Sequence, residues 1–276
     1  MASGVTEPAG TLGAPAPADD AAAKDAVIHN PQGAVDNEPP QPAPAPVPGI
    51  RERLELDERT IALLEELQVR YREAVDFGFL GPREGERLRE RHLDDALGLA
   101  LVRRPRGRER WADLGSGAGL PGLPLAAAFP GTRFTLVDAH KRRLDWVERT
   151  AGSLGLENLT VVHERLEDYG NGPARSRFDV AVARALGQPP VVLELGLPLV
   201  RVGGALLVPR GRLPDEERRR LVRVARQLGG GRLSTVHNPA GGSVDHPGVV
   251  ITITKVAATS RRFPRQAGIP QRQPLG

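Results

Sequence analysis

The sequence has 276 residues, which is enough for one or two domains with a sizeable hydrophobic core. It contains no cysteine, which excludes a disulfide framework and a cysteine metal site, and it has no apolar run of about 18 residues, so we expect no membrane span. The formal net charge is +4, but residues 1–49 carry one lysine and six acids, so the remainder is more basic still. A basic folded part favours a polyanionic partner, although an arginine-rich genome composition would explain the same count.

The two ends of the chain have the composition of tails. Residues 1–49 are rich in alanine and proline and carry no recognisable secretory or transit signal, so we expect a disordered acidic tail on a cytoplasmic protein. Residues 257–276 are basic and interrupted by prolines, and we expect them to form an extended C-terminal tail.

Residues 50–109 are predicted to be N-terminal helices. One helix covers 55–76, where apolar residues recur at helical spacing, and a second runs over about 82–102. His92 lies in the second helix beside Asp95. A single histidine in a helix is more often a packed polar residue than an active group, and we interpret His92 in that way.

Predicted strands and helices alternate over residues 110–256, which form the core domain. The strands fall at residues 111–114, 133–137, 160–163, 178–183 and 205–208, followed by a late antiparallel pair at 233–237 and 249–256. Such alternation calls for a mostly parallel sheet with helices on both faces, a Rossmann-like α/β fold, whose ligands bind beyond the carboxyl ends of the strands. A helix over 214–228 carries several arginines, which we interpret as a solvated face.

A glycine-rich stretch follows the first strand of this core. Asp113 precedes Gly115, Gly117 and Gly119, and a helical segment comes next. Glycines let backbone amides approach a ligand, and the new helix directs its partial positive end to the same point. The second strand ends in Asp138, 23 residues beyond Gly115, where a carboxylate can accept both hydroxyls of a ribose. This arrangement predicts a site for a cofactor that contains a nucleoside.

Two cofactor classes are compatible with this loop. A dinucleotide fingerprint G-x-G-x-x-G fits Gly117, Gly119 and Gly122, but it then begins two residues beyond the strand and includes Pro121. An acidic residue two positions before G-x-G-x-G, here Asp113, resembles the S-adenosylmethionine loop of class I methyltransferases. We therefore expect S-adenosyl-L-methionine and no metal, with a dinucleotide-dependent oxidoreductase as an alternative.

The residues present exclude several methyl acceptors. Methylation of pyrimidine C5 usually requires a cysteine that adds to the ring, and the chain has none. Enzymes that methylate exocyclic amines carry an Asp/Asn-Pro-Pro-aromatic box after the fourth strand, where this chain has Ala183-Arg-Ala-Leu186. One large class of ribose 2′-O methyltransferases uses paired lysines, of which the core has too few. A nucleophile with a free lone pair, such as guanine N7, or a small-molecule acceptor remains.

A family resemblance extends over about residues 60–275. Its motifs are Arg-His92-Leu-Asp-Asp95, the glycine loop with its continuation Gly-Leu-Pro-Gly-Leu-Pro, Leu136-Val-Asp138, Arg165-Leu-Glu167, Ala-Arg184-Ala and the closing Phe-Pro-Arg265-Gln-Ala-Gly-Ile-Pro. They resemble the small-subunit rRNA methyltransferase G family, also called glucose-inhibited division protein B. The resemblance implies a class I S-adenosylmethionine-dependent methyltransferase that methylates N7 of a guanine in the 530 loop of 16S rRNA. The expected partner is then 16S rRNA or the small ribosomal subunit, and a small-molecule methyltransferase or a mere RNA-binding module is the alternative.

The resemblance and the glycine loop together assign site residues. The expected cofactor-binding residues are Gly115, Gly117, Leu120, Asp138, Leu166, Glu167 and Arg184. By the resemblance, Leu166 and Glu167 flank the adenine, while Arg184 closes the site beside the methyl donor and the base as the catalytic residue. Taken singly, Leu120 fits a core position, Glu167 a surface acid and Arg184 an ion pair, and it is their joint placement at strand ends that favours the site.

The chain departs from the family pattern at two points. Asp95 is followed by Ala96, where members often have a serine, so any role of that hydroxyl is absent. The fifth strand is followed by Arg210-Gly211 where Lys-Gly is usual. Arginine keeps the positive charge but replaces the point-like ammonium group of lysine by a planar guanidinium group.

Overall fold

The alternating strands build one sheet in the part of the chain that the computed structural model describes. That part comprises residues 49–81, 92–243 and 246–276, without the side chains of 240–247. The expected N-terminal tail up to residue 48 and the beginning of the second predicted helix, residues 82–91, lie outside the described residues.

The sheet has the order β3-β2-β1-β4-β5-β7-β6. Its described strands are β1 Arg110–Leu114, β2 Arg133–Asp138, β3 Leu159–His163, β4 Phe178–Val182, β5 Val200–Arg210, β6 Gly230–Ser243 and β7 His246–Lys255. Neighbouring strands from β3 to β5 pair in parallel, whereas β7 is antiparallel to both β5 and β6. The chain passes from β1 to one side and later returns to the other side at β4, so the carboxyl ends of these two strands form the switch point where ligands bind in such sheets.

Helices cover both faces of the sheet, as the sequence predicted. The described helices are α1 Ile50–Arg53, α2 Glu58–Asp76, α3 Asp95–Val102, α4 Gly122–Ala128, α5 Lys141–Ser153, α6 Leu166–Asn171, α7 Pro189–Gly196, α8 Asp215–Gln227 and α9 Ile269–Arg272. On β1, Trp111 packs in the core with α2, α4 and α5, whereas Ala112 and Leu114 pack with α7 and α8. Successive side chains of a strand point to opposite faces, so both faces of β1 are buried and its register is fixed.

The N-terminal helix α2 is attached to the core by its apolar face. Asp57 caps its first turn by accepting a hydrogen bond from the backbone N–H of Thr60 at 2.7 Å. Leu64, Leu67 and Tyr71 are fully buried at helical spacing. The hydroxyl of Tyr71 donates to the carbonyl oxygen of Gly119 at 3.3 Å, so the helix directly contacts the glycine loop.

Residues 257–276, the C-terminal segment, are held against the body by polar contacts. Arg175 donates to the carbonyl oxygens of Thr259 and Phe263, each at 2.7 Å. Arg265 forms a bidentate ion pair with the fully buried Glu194, with Nε–Oε1 and Nη2–Oε2 distances of 2.8 and 2.6 Å. The segment therefore differs from a solvated extended tail, because its Arg265 satisfies a buried carboxylate of the body and its own carbonyl oxygens accept hydrogen bonds from Arg175 of the body.

Of the helices that the structure describes, none combines the length and the apolar character that a bilayer crossing requires.

Candidate functional site

The glycine loop between β1 and α4 exposes part of its backbone at the carboxyl ends of the parallel strands. The amides of Gly115 and Ser116 both donate to the carbonyl oxygen of Val137, at 2.8 and 3.1 Å, which joins the loop to the end of β2. Gly117 has a φ of +54°, and no atom lies within 4 Å of the position that a Cβ would occupy there. Gly115 has a φ of +66°, and a Cβ there would lie only 2.4 Å from Cδ1 of Leu186. Both positions therefore require glycine, and the loop backbone at Gly117 is accessible to a ligand.

Asp138 holds the loop from the end of β2. Its Oδ2 accepts a hydrogen bond from the amide of Gly117 at 2.8 Å, and its Oδ1 accepts from the backbone amide of His140 at 2.8 Å. Nδ1 of His140 lies 2.8 Å from the same Oδ1. Each carboxylate oxygen has two acceptor positions, so Oδ2 can still accept a hydrogen bond from a ligand while Oδ1 faces both nitrogens of His140.

A cleft of about 330 Å³ opens beside Asp138 and the glycine loop. Four of the seven predicted cofactor residues line it, namely Gly115, Asp138, Leu166 and Glu167. The interpretation of the sequence missed other lining residues, among them the polar side chains of His140, Arg143 and Gln271. The first two follow Asp138 closely in the chain and could have been suspected from that position, whereas no local pattern points to Gln271.

Glu167 has a partner that the sequence did not predict. Its carboxylate Oε1 accepts a hydrogen bond from the backbone amide of Gly268 at 2.9 Å, and Nη2 of Arg165 lies 3.7 Å from the same oxygen. The side chain is almost fully buried. Glu167 therefore fastens the C-terminal segment to the wall of the cleft, which brings Gln271 into the lining.

Leu120 and Gly117 are not among the residues that line the cleft. Leu120 is buried and packs in the core under the loop, with Leu123 and Val147 in the same cluster. Gly117 contributes its amide to Asp138, as described above. Leu120 thus supports the loop from below, and a direct contact with a cofactor stays a prediction.

Arg184 follows β4 and lies beside two residues from the N-terminal helical segment. Its Nη2 is 2.9 Å from Nδ1 of His92 and 3.9 Å from Oδ2 of Asp95. A guanidinium group can only donate, so in this contact Nδ1 of His92 is the acceptor. The side chain of Arg184 is 21% exposed, and the next two residues, Ala185 and Leu186, line the cleft. Arg184 is therefore oriented by His92 and Asp95 at the edge of the cleft.

Asp113 lies underneath the glycine loop with 2% of its surface exposed. Its Oδ2 accepts a hydrogen bond from the amide of Gly122 at 2.8 Å and connects β1 to the start of α4. Burial raises the pKa of Asp113 to about 7; the amide of Gly122 and the charge of Arg184 oppose this rise, while the negative charge of Asp138 adds to it. Burial and the nearby Asp113 also raise the pKa of Tyr71 well above its usual value.

Two buried oxygens at this site have no hydrogen-bond partner among the described residues. They are Oδ1 of Asp113 and Oγ of Ser116. Buried polar groups are normally satisfied, so these atoms together with the accessible backbone of Gly117 fit a polar ligand that enters from the cleft. S-adenosylmethionine, which carries a ribose, an adenine and an amino acid group, has donors for such a site. Among the described residues, no three histidine, aspartate or glutamate side chains are arranged to hold a metal ion.

Comparison with known proteins identifies the family. The family model described as rRNA small subunit methyltransferase G, GidB, matches residues 55–240. The ribosomal RNA small subunit methyltransferase G of Chloroflexus aggregans is 38% identical over 202 residues, which cover 72% of this chain and 83% of the relative. The protein of the same description from Rubrobacter xylanophilus is 37% identical over 223 residues, which cover 78% of this chain and 84% of the relative.

Among solved structures, a SAM-dependent O-methyltransferase from Thermotoga maritima has a TM-score of 0.47 and 16% identity, with 60% of this chain and 66% of that chain covered. The family model and each of the two relatives match more than half of this chain. The expected fold class, a Rossmann-like class I S-adenosylmethionine-dependent methyltransferase with an N-terminal helical extension, is confirmed. The chain belongs to the rRNA small subunit methyltransferase G (GidB) family.

Proposed function

We propose that this protein transfers a methyl group from S-adenosylmethionine to N7 of a guanine in the 530 loop of 16S rRNA. The observation that carries the proposal is the cleft in which Asp138, the glycine loop and Glu167 converge, in a chain whose relatives are described as ribosomal RNA small subunit methyltransferases. The substrate would be 16S rRNA or the small ribosomal subunit, which implies a cytoplasmic protein.

In this proposal the cofactor lies in the cleft with its ribose against Asp138. The carboxylate accepts from the ribose hydroxyls, and the loop backbone at Gly115 and Gly117 lies against the amino acid part of the cofactor. Leu166 and Glu167 flank the adenine, and Leu120 supports the loop from the core. When bound, S-adenosylmethionine supplies an electrophilic methyl group.

Guanine N7 suits a site of this kind. It has a lone pair and loses no proton before it attacks, so positioning can supply most of the catalysis. Arg184 would orient the guanine, because it lies at the edge of the cleft and is itself held by His92 and Asp95. Methylation of N7 makes the base cationic, so a guanidinium group directed at N7 would oppose the reaction. We therefore assign Arg184 to the O6 side of the base or to its phosphate.

A methyl-transfer assay tests the function. Tritiated S-adenosylmethionine is offered with unmethylated 16S rRNA, with small ribosomal subunits and with a metabolite extract. We expect label in the RNA or the subunit. Label only in metabolites would indicate a small-molecule methyltransferase, and RNA binding without transfer would indicate a binding module. Isothermal titration separates the cofactor classes, because binding of NAD without binding of S-adenosylmethionine would contradict the proposal.

A further inference from the structure

A second and larger concave surface lies at the amino ends of the parallel strands, whereas the cofactor cleft lies at their carboxyl ends. It has a volume of about 760 Å³ and is lined by the beginnings of β1 and β2, the first turn of α2 and the residues that lead into β3. The five-residue strand β1 separates it from the glycine loop, a distance of roughly 15 Å at about 3.3 Å per residue. The two sites are therefore distinct, but one extended ligand can reach both.

The lining of this surface is rich in arginine, and we call it the arginine groove. Four exposed arginines contribute to it: Arg59, Arg108, Arg110 and Arg133. The acidic lining residues are Asp57 and Glu157. Four arginines against two acids leave the lining of the groove with an excess of positive charge.

These four guanidinium groups differ from others in the same protein. Arg103, Arg201 and Arg265 are paired with carboxylates at 2.5 to 2.6 Å. Arg210, which follows the fifth strand, is likewise paired with Glu217 at 2.7 Å. Within the described residues, the side chains of the four groove arginines form no ion pair within 4 Å and no hydrogen bond, although the charges of Arg59 and Arg110 act on the nearby carboxylates of Asp57 and Asp179. A cluster of unpaired arginines in a concave surface is suited to an external polyanion, because each planar guanidinium can donate two parallel hydrogen bonds to a phosphate.

The composition of the groove indicates which part of a nucleic acid it would contact. Its one aromatic lining residue, Phe134, is buried and cannot serve as a stacking platform for bases. Contacts to phosphates fix the position of an RNA without reading its sequence. The groove is therefore suited to the sugar–phosphate backbone and not to the base that receives the methyl group.

We propose that the arginine groove binds backbone phosphates of the RNA substrate, several nucleotides away from the methylated guanine. The inference rests on the proposed function, since it assumes that the substrate is an RNA long enough to pass from the cofactor cleft to the groove. The groove would provide a second contact that holds and orients the RNA while methyl transfer takes place at the carboxyl ends of the strands.

The test compares two pairs of exposed arginines. The groove variant is Arg108→Gln/Arg133→Gln. The matched control is Arg219→Gln/Arg223→Gln on α8, which removes the same charge from exposed positions outside the groove. Affinity for unmethylated 16S rRNA is measured between 50 and 200 mM salt. Each lost phosphate contact lowers the slope of log K against log salt by about 0.7–0.9, so the groove variant should lower it by about 1.5 and weaken binding about tenfold or more. The control should resemble the wild type.

Steady-state kinetics give a second readout. The groove variant should raise KM for 16S rRNA while kcat and the affinity for S-adenosylmethionine stay at the wild-type values. A charge-preserving variant, Arg108→Lys/Arg133→Lys, should recover most of the salt slope, and thermal melts verify that all variants are folded. Equal slopes and equal KM values for the groove variant and the control would overturn the proposal.

The outcomes also separate this inference from the proposed function. If the wild type binds 16S rRNA but transfers no methyl group, the proposed function fails, while the salt titration still tests the groove because it does not depend on transfer. If the wild type methylates 16S rRNA and the groove variant behaves like the control, the groove inference alone fails.

Discussion

Replacement of Asp113 by asparagine tests how ionisation of this buried carboxyl group affects the free energy of unfolding. Asparagine has nearly the same shape and can still accept the hydrogen bond from Gly122, but it cannot ionise. The pKa of Asp113 rises from an ordinary 3.8 to about 7 in the folded protein. This difference of about three units corresponds to about 4 kcal/mol at 1.36 kcal/mol per unit.

The sign of the effect follows from the raised pKa. Between pH 4 and 7 the folded protein keeps a proton on Asp113 that the unfolded chain releases, so the contribution of this proton to stability is full below pH 4 and is lost as the pH rises through 7. Of the three pH units between the two pKa values, the two from pH 5 to pH 7 fall within the range from pH 5 to pH 8. The free energy of unfolding of the wild type, relative to Asp113→Asn, should therefore fall by about 3 kcal/mol between these two pH values.

Urea denaturation of both proteins at pH 5 and pH 8 measures this double difference. Groups common to both proteins cancel, so the remaining change belongs to Asp113. Asp57→Asn is a matched control: the hydrogen bonds from Thr60 lower the pKa of the exposed Asp57, so its titration lies below this window and should contribute no change. A wild-type-to-variant difference that is the same at both pH values would refute the assignment of a protonated, buried Asp113 below pH 7.

Three further substitutions test the cleft and its support. Asp138→Ala should weaken binding of S-adenosylmethionine by roughly 1–3 kcal/mol in isothermal titration, because charge-assisted hydrogen bonds to the ribose are lost. Arg184→Ala should strongly reduce the rate of single-turnover methyl transfer and should change the melting temperature little. Arg184→Lys should not fully restore the rate, because lysine lacks the planar guanidinium group. A large drop in melting temperature with normal activity in the folded fraction would instead indicate a purely structural ion pair. Arg265→Ala should reduce the free energy of unfolding by about 3–5 kcal/mol in urea titration, because it leaves the buried carboxylate of Glu194 without a cation; the double variant Arg265→Ala/Glu194→Gln should cost less, and an equal cost would contradict this reason.

The elements of the core could be predicted because their signals are local. A short apolar run, a glycine turn and an amphipathic helix each lie within a few residues, so the ends of β1 and β2 and the position of Asp138 at the edge of the sheet followed directly from the chain. The parallel order then brought the residues after each strand to one edge, which is why Gly115, Asp138, Leu166 and Glu167 line a common cleft.

The parts that could not be predicted depend on contacts between distant segments. The partner of Glu167 is the amide of Gly268, 101 residues away, and the partner of Arg184 is His92, 92 residues away. No periodicity relates such pairs, and basic, proline-containing residues beyond position 256 have the composition of a solvated tail. The direction of a loop side chain is equally hidden, so no local signal showed that Leu120 is buried in the core under the glycine loop.

The participation of the C-terminal segment in the cleft has a consequence for the newly synthesised chain. Gln271 follows Gly115 by 156 residues, so at roughly 5–20 residues per second it is made about 10–30 s after the glycine loop. Glu167 is made 101 residues before Gly268, and Glu194 is made 71 residues before Arg265, so each carboxylate lacks its partner until synthesis reaches the C-terminal segment. A growing chain therefore has an incomplete cofactor cleft even when every described strand of the sheet has been synthesised. Methyl transfer would begin only after synthesis has passed the residues that close the wall.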